Sequence, residues 1–289
     1  MPELPEVETV VRDLRPLLCG QCLAAVRTSR HQLRQPWKRA WVSAIVGKRV
    51  QAIRRRGKWI ILDLESSSHL LVHLGMTGRF TVVESKIPKA AHTHVVFKLN
   101  EGGQELRFAD IRRFGSVRYC ATADELNLLL GGKLGPEPWE MDPSDWSQRL
   151  RSSRRCLKAI LLDQSVIAGV GNIYADESLF VARLAPKQLG TRTTREQADR
   201  LLSAIVQVLD HAIEARGSSI RNYVGGNGER GEYQNEFLAY GRTGEPCQNC
   251  GRAIACIRLA GRATHYCPHC QRSRSQRSEV RSQRSEVRY

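Results

Sequence analysis

Two groups of residues in this 289-residue sequence are spaced for chemistry. The first is the opening stretch MPELPEVETVV. Removal of the initiator Met leaves Pro2 with a free secondary amine. An α-amino group has a pKa of roughly 8 against about 10.4 for lysine, so at neutral pH about a tenth of it is unprotonated and nucleophilic. A secondary amine attacking an aldehyde-like carbon can only give a charged iminium, an electron sink that loosens a neighbouring C–H proton. Glu3 is adjacent and Glu6 lies one helical turn on, so both could move protons at that centre. Taken alone, the same residues also read as an inert chain end with helix-capping glutamates.

The second group is two C-x-x-C pairs, Cys247/Cys250 and Cys267/Cys270, separated by residues 251–266. Each pair can turn two thiolates toward one ion, and two pairs complete a tetrahedron, so one structural Zn2+ is expected. With all four positions taken by protein, none is left for a reacting water, and the ion organises structure rather than chemistry. The intervening GRAIACIRLAGRATHY reads as a β-hairpin turning near Gly261. Its tip presents Arg262, which suits a phosphate contact in a basic protein. The other five of the nine cysteines (19, 22, 120, 156 and 256) are scattered, and no role is assigned to Cys256.

The elements that must position these groups are legible in outline. Val7, Val10, Val11 and Leu14 follow helical spacing, with Pro5 suited to a first helical position and an end near Leu18, before Gly20. From about Gln21 to Cys120 short apolar or alternating runs (KWIILDL, HLLVHLG, THVVFKLN) are punctuated by turn residues, and QELRFADIRRFGSVRYC reads as two strands around a charged turn. A Pro/Gly-rich stretch at 131–146 reads as a linker. Helical segments follow, to about Gly241, and then the cysteine module. The last residues repeat RSQRSEV in tandem (274–280 and 281–287), an Arg/Ser-rich composition that reads as a disordered tail.

The expected class is therefore α+β in two domains. An N-terminal β-sandwich or barrel with flanking helices spans 1–130, a linker 131–146, a mainly helical domain 147–241, a zinc-ribbon-like hairpin finger 242–271, and a tail 272–289. Lys+Arg number 45 against 29 Asp+Glu, a net charge of +16. The tail contributes six Arg and two Glu, leaving about +12 elsewhere, so a polyanionic partner, nucleic acid first, is indicated. No apolar run approaches the roughly 18 residues that cross a membrane, and the start lacks the layout of a signal peptide. No membrane partner is expected, and a soluble cytoplasmic protein is.

In order along the chain, MPELPEVETVV, HLGMTGRF (73–80), DIRRFG (110–115), GVGNIYADESLF (169–180) and the C-x-x-C hairpin with GRATHYC resemble the bacterial formamidopyrimidine-DNA glycosylases. The likeness spans about residues 1–271. PELPEVE is closer to the enzymes acting on oxidised purines than to the endonuclease VIII branch, which typically has Gly in place of Leu4. The resemblance implies a bifunctional glycosylase and lyase for 8-oxoguanine and formamidopyrimidines, acting as a monomer on damaged double-stranded DNA at the bacterial nucleoid. It implies no catalytic metal or organic cofactor. Pro2 matches the Schiff-base nucleophile, Glu3 the general acid that helps release the base, and Glu6 an acidic residue supporting the site. Lys58 matches the proton donor in β-elimination, and Arg262 the hairpin arginine that binds phosphate and assists δ-elimination. Met76, Arg112 and Phe114 match side chains that fill the hole left by an everted base. His92 and Arg112 match DNA contacts, and Asn172, in a helix–two-turns–helix element, a phosphate contact. The family's basic cluster after the linker reads RSSRRCLK here; Arg154 is taken for its phosphate contact, with an immediate neighbour as the alternative. Two rival readings stand beside this one: the same chemistry aimed at oxidised pyrimidines, and a catalytically silent zinc-containing DNA-binding protein.

Overall fold

A computed structural model of the chain describes residues 2–100, 103–219 and 224–272. The tail is thus outside the described residues from 273 on. The α+β class expected above is the one found. Contacts divide the chain into two compact units: Met1–Leu134 with His211–Asn235, and residues 135–210 with those from 236 onward.

The first unit opens with α1 (Leu4–Leu18), whose Val7, Val10, Val11, Leu14 and Leu18 are all buried on one stripe. Pro5 falls at the second helical position rather than the first, still among the first four residues whose N–H groups have no partner in the helix. β1 (Leu23–Thr28) and a short α2 (Ala40–Ile45) follow. Then come β2 (Val50–Arg56), β3 (Trp59–Leu64), β4 (Ser68–His73), β5 (Gly78–Glu84), β6 (Thr93–Leu99), β7 (Gln104–Asp110), β8 (Ser116–Cys120) and α3 (Ala123–Leu130).

The strands form two antiparallel four-stranded sheets, in the orders β1-β6-β7-β5 and β2-β3-β4-β8. Alternation decides what each face does. Ile60, Leu62, Leu70 and Val72 of one sheet join Phe80, Phe97 and Phe108 of the other and the buried stripe of α1 in one core. On the reverse face of the second sheet, Ile61, Leu71 and Cys120 pack with Leu126 of α3. The two strands read in QELRFADIRRFGSVRYC belong to different sheets. The charged loop 111–115 therefore crosses from one sheet to the other.

In the second unit a 3-10 turn at Pro138–Glu140 precedes α4 (Pro143–Arg151). This helix begins inside the Pro/Gly-rich stretch: Asp142 caps it by accepting from the N–H groups of Ser144 and Asp145. Trp146 is fully buried and donates to the Ala198 carbonyl at 2.9 Å. Next come α5 (Leu157–Leu162), α6 (Asn172–Val181) and α7 (Arg195–Glu214), whose last turn falls in the first unit's residue range. The chain then enters the hairpin β9 (Ala255–Leu259) and β10 (Arg262–Tyr266). Leu259 pairs with Arg262 across a two-residue turn, Ala260-Gly261, with both residues at positive φ, the backbone that matches the natural twist of a hairpin. Among the described residues no helix is long and apolar enough to cross a membrane.

Candidate functional site

In the first unit, Pro2, Glu3 and Glu6 are buried at the start of α1. Glu3 is the N-cap, and with Glu6 it forms a capping box. Glu6 Oε2 accepts from the Glu3 N–H at 2.7 Å. Glu6 Oε1 accepts from the Ser218 N–H at 2.7 Å and from its hydroxyl at 3.1 Å. The carboxylate thus braces the first residues against a segment more than two hundred positions away. Gly217 makes this approach possible: it sits at φ +74, and a Cβ there would lie 2.9 Å from Glu6 Oε1. Arg216 adds a second tie, donating to Asp13 of α1 at 2.9 Å.

Lys58 is buried in the tight turn between β2 and β3. Arg55 links that turn to α1, donating to Glu8 at 2.9 Å and to the Gly57 carbonyl at 3.1 Å. Burial works against the charge on Glu8, but Arg12 and Arg55 together outweigh it and hold the carboxyl below its usual range. Beside this turn stands His73, its ring edge-on to Trp59 at 4.6 Å. Burial first, then the Lys58 and Arg34 cations, push His73 down to about 4. It is therefore neutral at pH 7, and its Nδ1 accepts from the Gly75 N–H at 3.0 Å.

Met76, Arg112 and Phe114 stand on two loops packed backbone to backbone. A Cβ on Gly75 would fall 2.5 Å from the Gly115 nitrogen. One buried carboxylate, Asp110, joins the loops: it accepts from the Thr77 hydroxyl at 2.5 Å, the Arg112 N–H at 3.2 Å and the Gly115 N–H at 2.7 Å. The side chains they present are exposed, Met76 by 39% and Phe114 by 45%. The Arg112 guanidinium lies over the Phe114 ring at 4.7 Å. His92 is exposed with φ +62, and its carbonyl accepts the Asp110 N–H at 3.0 Å.

The second unit holds the remaining candidates. Arg154 is exposed in the α4–α5 loop, whereas its neighbour Arg155 pairs with Asp163 at 2.7 Å. Asn172 begins α6 and donates from its side-chain amide to the Ala263 carbonyl, at 3.1 Å, next to Arg262 on the hairpin. Glu177 of the same helix is fully buried and accepts from the N–H groups of Leu238, Ala239 and Tyr240 at 2.7–2.9 Å. Burial and the neighbouring Asp176 raise its pKa despite those three donors.

The thiols of Cys247, Cys250, Cys267 and Cys270 all lie within 4.8 Å of one another. Two of the separations are 3.9 Å (Cys247 to Cys270) and 3.5 Å (Cys250 to Cys267). A tetrahedron with Zn–S bonds of about 2.3 Å has edges of about 3.8 Å. The cluster therefore fits one structural zinc ion closed to water.

Sequence reasoning missed Ser218, His73, Asp110 and Glu177. HLG beside the MTG loop was a weak signal for His73. The other three act through hydrogen bonds that no local pattern announces. Of the glycine-rich segment 216–233, residues 220–223 lie outside the described residues. The flanks are anchored, the Gly226 carbonyl by the Val82 N–H and Ser219 by Gln234.

Three family models match in succession. They are the formamidopyrimidine-DNA glycosylase N-terminal domain over residues 1–117, its H2TH domain over 134–224, and a zinc finger found in FPG and IleRS over 244–272. A formamidopyrimidine-DNA glycosylase of Desulfitobacterium hafniense is 41% identical over 279 residues, covering 94% of this chain and all of the relative. One from Cereibacter sphaeroides is 43% identical over 285 residues with the same coverage. Among solved structures, a Lactococcus lactis FPG mutant in complex with Fapy-dG-containing DNA superposes with a TM-score of 0.88 at 36% identity, covering 94% of this chain and all of the other. The L. lactis Fpg in complex with abasic-site DNA gives 0.87 with the same identity and coverage.

Proposed function

The chain belongs to the formamidopyrimidine-DNA glycosylase family, and from that premise we propose how its own residues carry out the reaction. It is a base-excision DNA glycosylase for oxidised purines with abasic-site lyase activity. Its partner is damaged double-stranded DNA, on which it acts as a monomer, in the cytoplasm at the nucleoid.

The lesion is rotated out of the duplex. Met76, Arg112 and Phe114 enter the space it leaves and offset part of the few kcal/mol that unstacking costs. The Pro2 nitrogen attacks C1′, the glycosidic bond breaks, and the base departs with a proton. Glu3 protonates the sugar ring oxygen as the ring opens, leaving an iminium between Pro2 and C1′. Glu6 keeps the amine in place. The Glu3 carboxylate left by that step takes the C2′ proton, the C–H electron pair flows into the iminium, and the resulting enamine expels the 3′ phosphate, with Lys58 supplying the proton the departing phosphate takes up. A second elimination expels the 5′ phosphate, held by Arg262. His92, Arg154 and Asn172 hold the flanking backbone, which fixes register rather than sequence. The zinc takes no part in these steps; its four thiolate ligands keep the hairpin folded.

The observation that carries this assignment of roles is the buried Pro2–Glu3–Glu6 start, braced by Ser218. An inert chain end has no need of a carboxylate that gathers donors from Glu3 and Ser218. Borohydride reduction on a duplex bearing one 8-oxoguanine tests it, with mass spectrometry of the crosslinked peptide, Pro2→Gly as control and an oxidised-pyrimidine duplex alongside. A crosslink at Pro2, faster on the oxidised purine, is expected. A crosslink elsewhere, or none on either duplex, overturns the assignment of Pro2.

A further inference from the structure

Asp176 lies at the centre of the second unit and has no part in the scheme above. It and Lys158 are both fully buried. Asp176 Oδ1 accepts from the Lys158 ammonium at 2.6 Å. Its Oδ2 accepts twice from one residue of the hairpin, the backbone N–H of His265 at 2.9 Å and the ring Nδ1 at 3.1 Å. A carboxylate can only accept, so Nδ1 carries the proton. Lys158 also donates to the Asn172 carbonyl at 2.8 Å, and Asn172 donates to Ala263. The result is a ring of polar bonds through α5, α6 and β10.

Such a ring is a poor way to gain stability, because desolvating two charges offsets most of their attraction. What it gains is register. Two donors of a single residue converge on one oxygen, so β10 cannot slide along α6 without losing both. Arg262 stands three residues before His265 on the same strand, and Asn172 one helical turn before Asp176. We infer that Asp176 and His265 are positioning residues: they set Arg262 and Asn172 at one fixed spacing, so that the pair grips a sugar–phosphate segment as a unit. This rests on the phosphate role proposed above for Arg262.

The test reads products on a duplex with a preformed abasic site. One elimination leaves a sugar remnant on the 3′ end; two leave phosphates on both sides of the gap. Arg262→Gln, the control, shifts ends toward the single-elimination product. Asp176→Asn and His265→Leu shift them the same way by about fivefold, or about 1 kcal/mol at 1.4 kcal/mol per factor of ten. Zinc content and the rate of the first elimination stay unchanged. His265→Asn restores the ratio, because the Asn amide nitrogen can sit where Nδ1 does. Should Asp176→Asn fail to fold around Lys158, the two His265 variants decide. If Arg262→Gln shifts the products and His265→Leu does not, the positioning inference is wrong. If Arg262→Gln itself shifts nothing, the role of Arg262 is wrong and the inference falls with it.

Discussion

Around α1 the frame is one continuous core, drawn from both sheets and the helix, onto which Glu6 and Asp110 fasten the loops bearing the proposed site residues. Around the zinc cysteines, among the described residues, one small buried cluster joins Phe180, Ala239, Ile254, Cys247 and Cys267, with Leu238, Cys250 and Cys270 partly buried against it. The first region is positioned by burial, with hydrogen bonds as refinement. The second has too little apolar surface for that, and coordination and paired charge take over. The two regions should therefore fail separately and in response to different agents.

Removing the metal gives the largest expected effect. Stripping zinc, or Cys267→Ser, should abolish hydrogen-exchange protection across residues 255–266 and weaken DNA binding severely, since structural zinc contributes on the order of 10 kcal/mol or more to such modules. Protection in the sheets of the first unit should survive. A hairpin that stays protected after chelation would break the comparison.

Glu6→Ala is the counterpart in the first unit. It strands the Glu3 N–H and both donors of Ser218. At about 1–3 kcal/mol per unsatisfied buried group, the urea midpoint should drop and Pro2 trapping should slow, while zinc is retained.

His73 sharpens the comparison through pH. Its folded pKa of about 4 lies below an unfolded value of about 6.5. The unfolded chain therefore binds the proton first. Stability complete above about pH 6.5 should fall as pH drops toward 4, by at most about 3 kcal/mol. Urea melts across that window should show a slope that His73→Gln flattens. An unchanged slope means His73 is not held neutral.

Phe114→Ala should change stability least, within about 0.5 kcal/mol, as for an exposed side chain. Excision of 8-oxoguanine should nevertheless slow, while cleavage of a preformed abasic site, which has no base to displace, proceeds. Equal loss on both substrates would remove Phe114 from the eversion step.

What could be read from the sequence follows from range. The zinc ligands, the hairpin and its Gly261 turn, the stripe of α1 and the Pro2–Glu3 start are set by neighbours within a few positions, where spacing reports geometry directly. As bare residues between strands Met76 and Phe114 read as core; the family resemblance reverses that reading, and the structure finds both exposed. The partition of β7 and β8 into different sheets was illegible, because DIRRFG fits a hairpin turn as well as a crossing. So were the buried carboxylates Asp110, Asp176 and Glu177. Among charged residues in a chain rich in them, what marks Asp176 and Glu177 is the donor at the far end of the bond, 89 positions away for Asp176 and His265.

The division of the chain has a consequence for synthesis. Residues 211–235 belong to the same unit as residue 2, and Ser218 supplies two of the donors on Glu6. A ribosome that has delivered both sheets has therefore not yet delivered the brace for the amino terminus. Glu6 waits for roughly the last quarter of translation before Ser218 reaches its carboxylate. A nascent or truncated chain that ends before Ser218 would leave Glu6 without that brace, so the site proposed around Pro2 is completed late, nearly together with the zinc module.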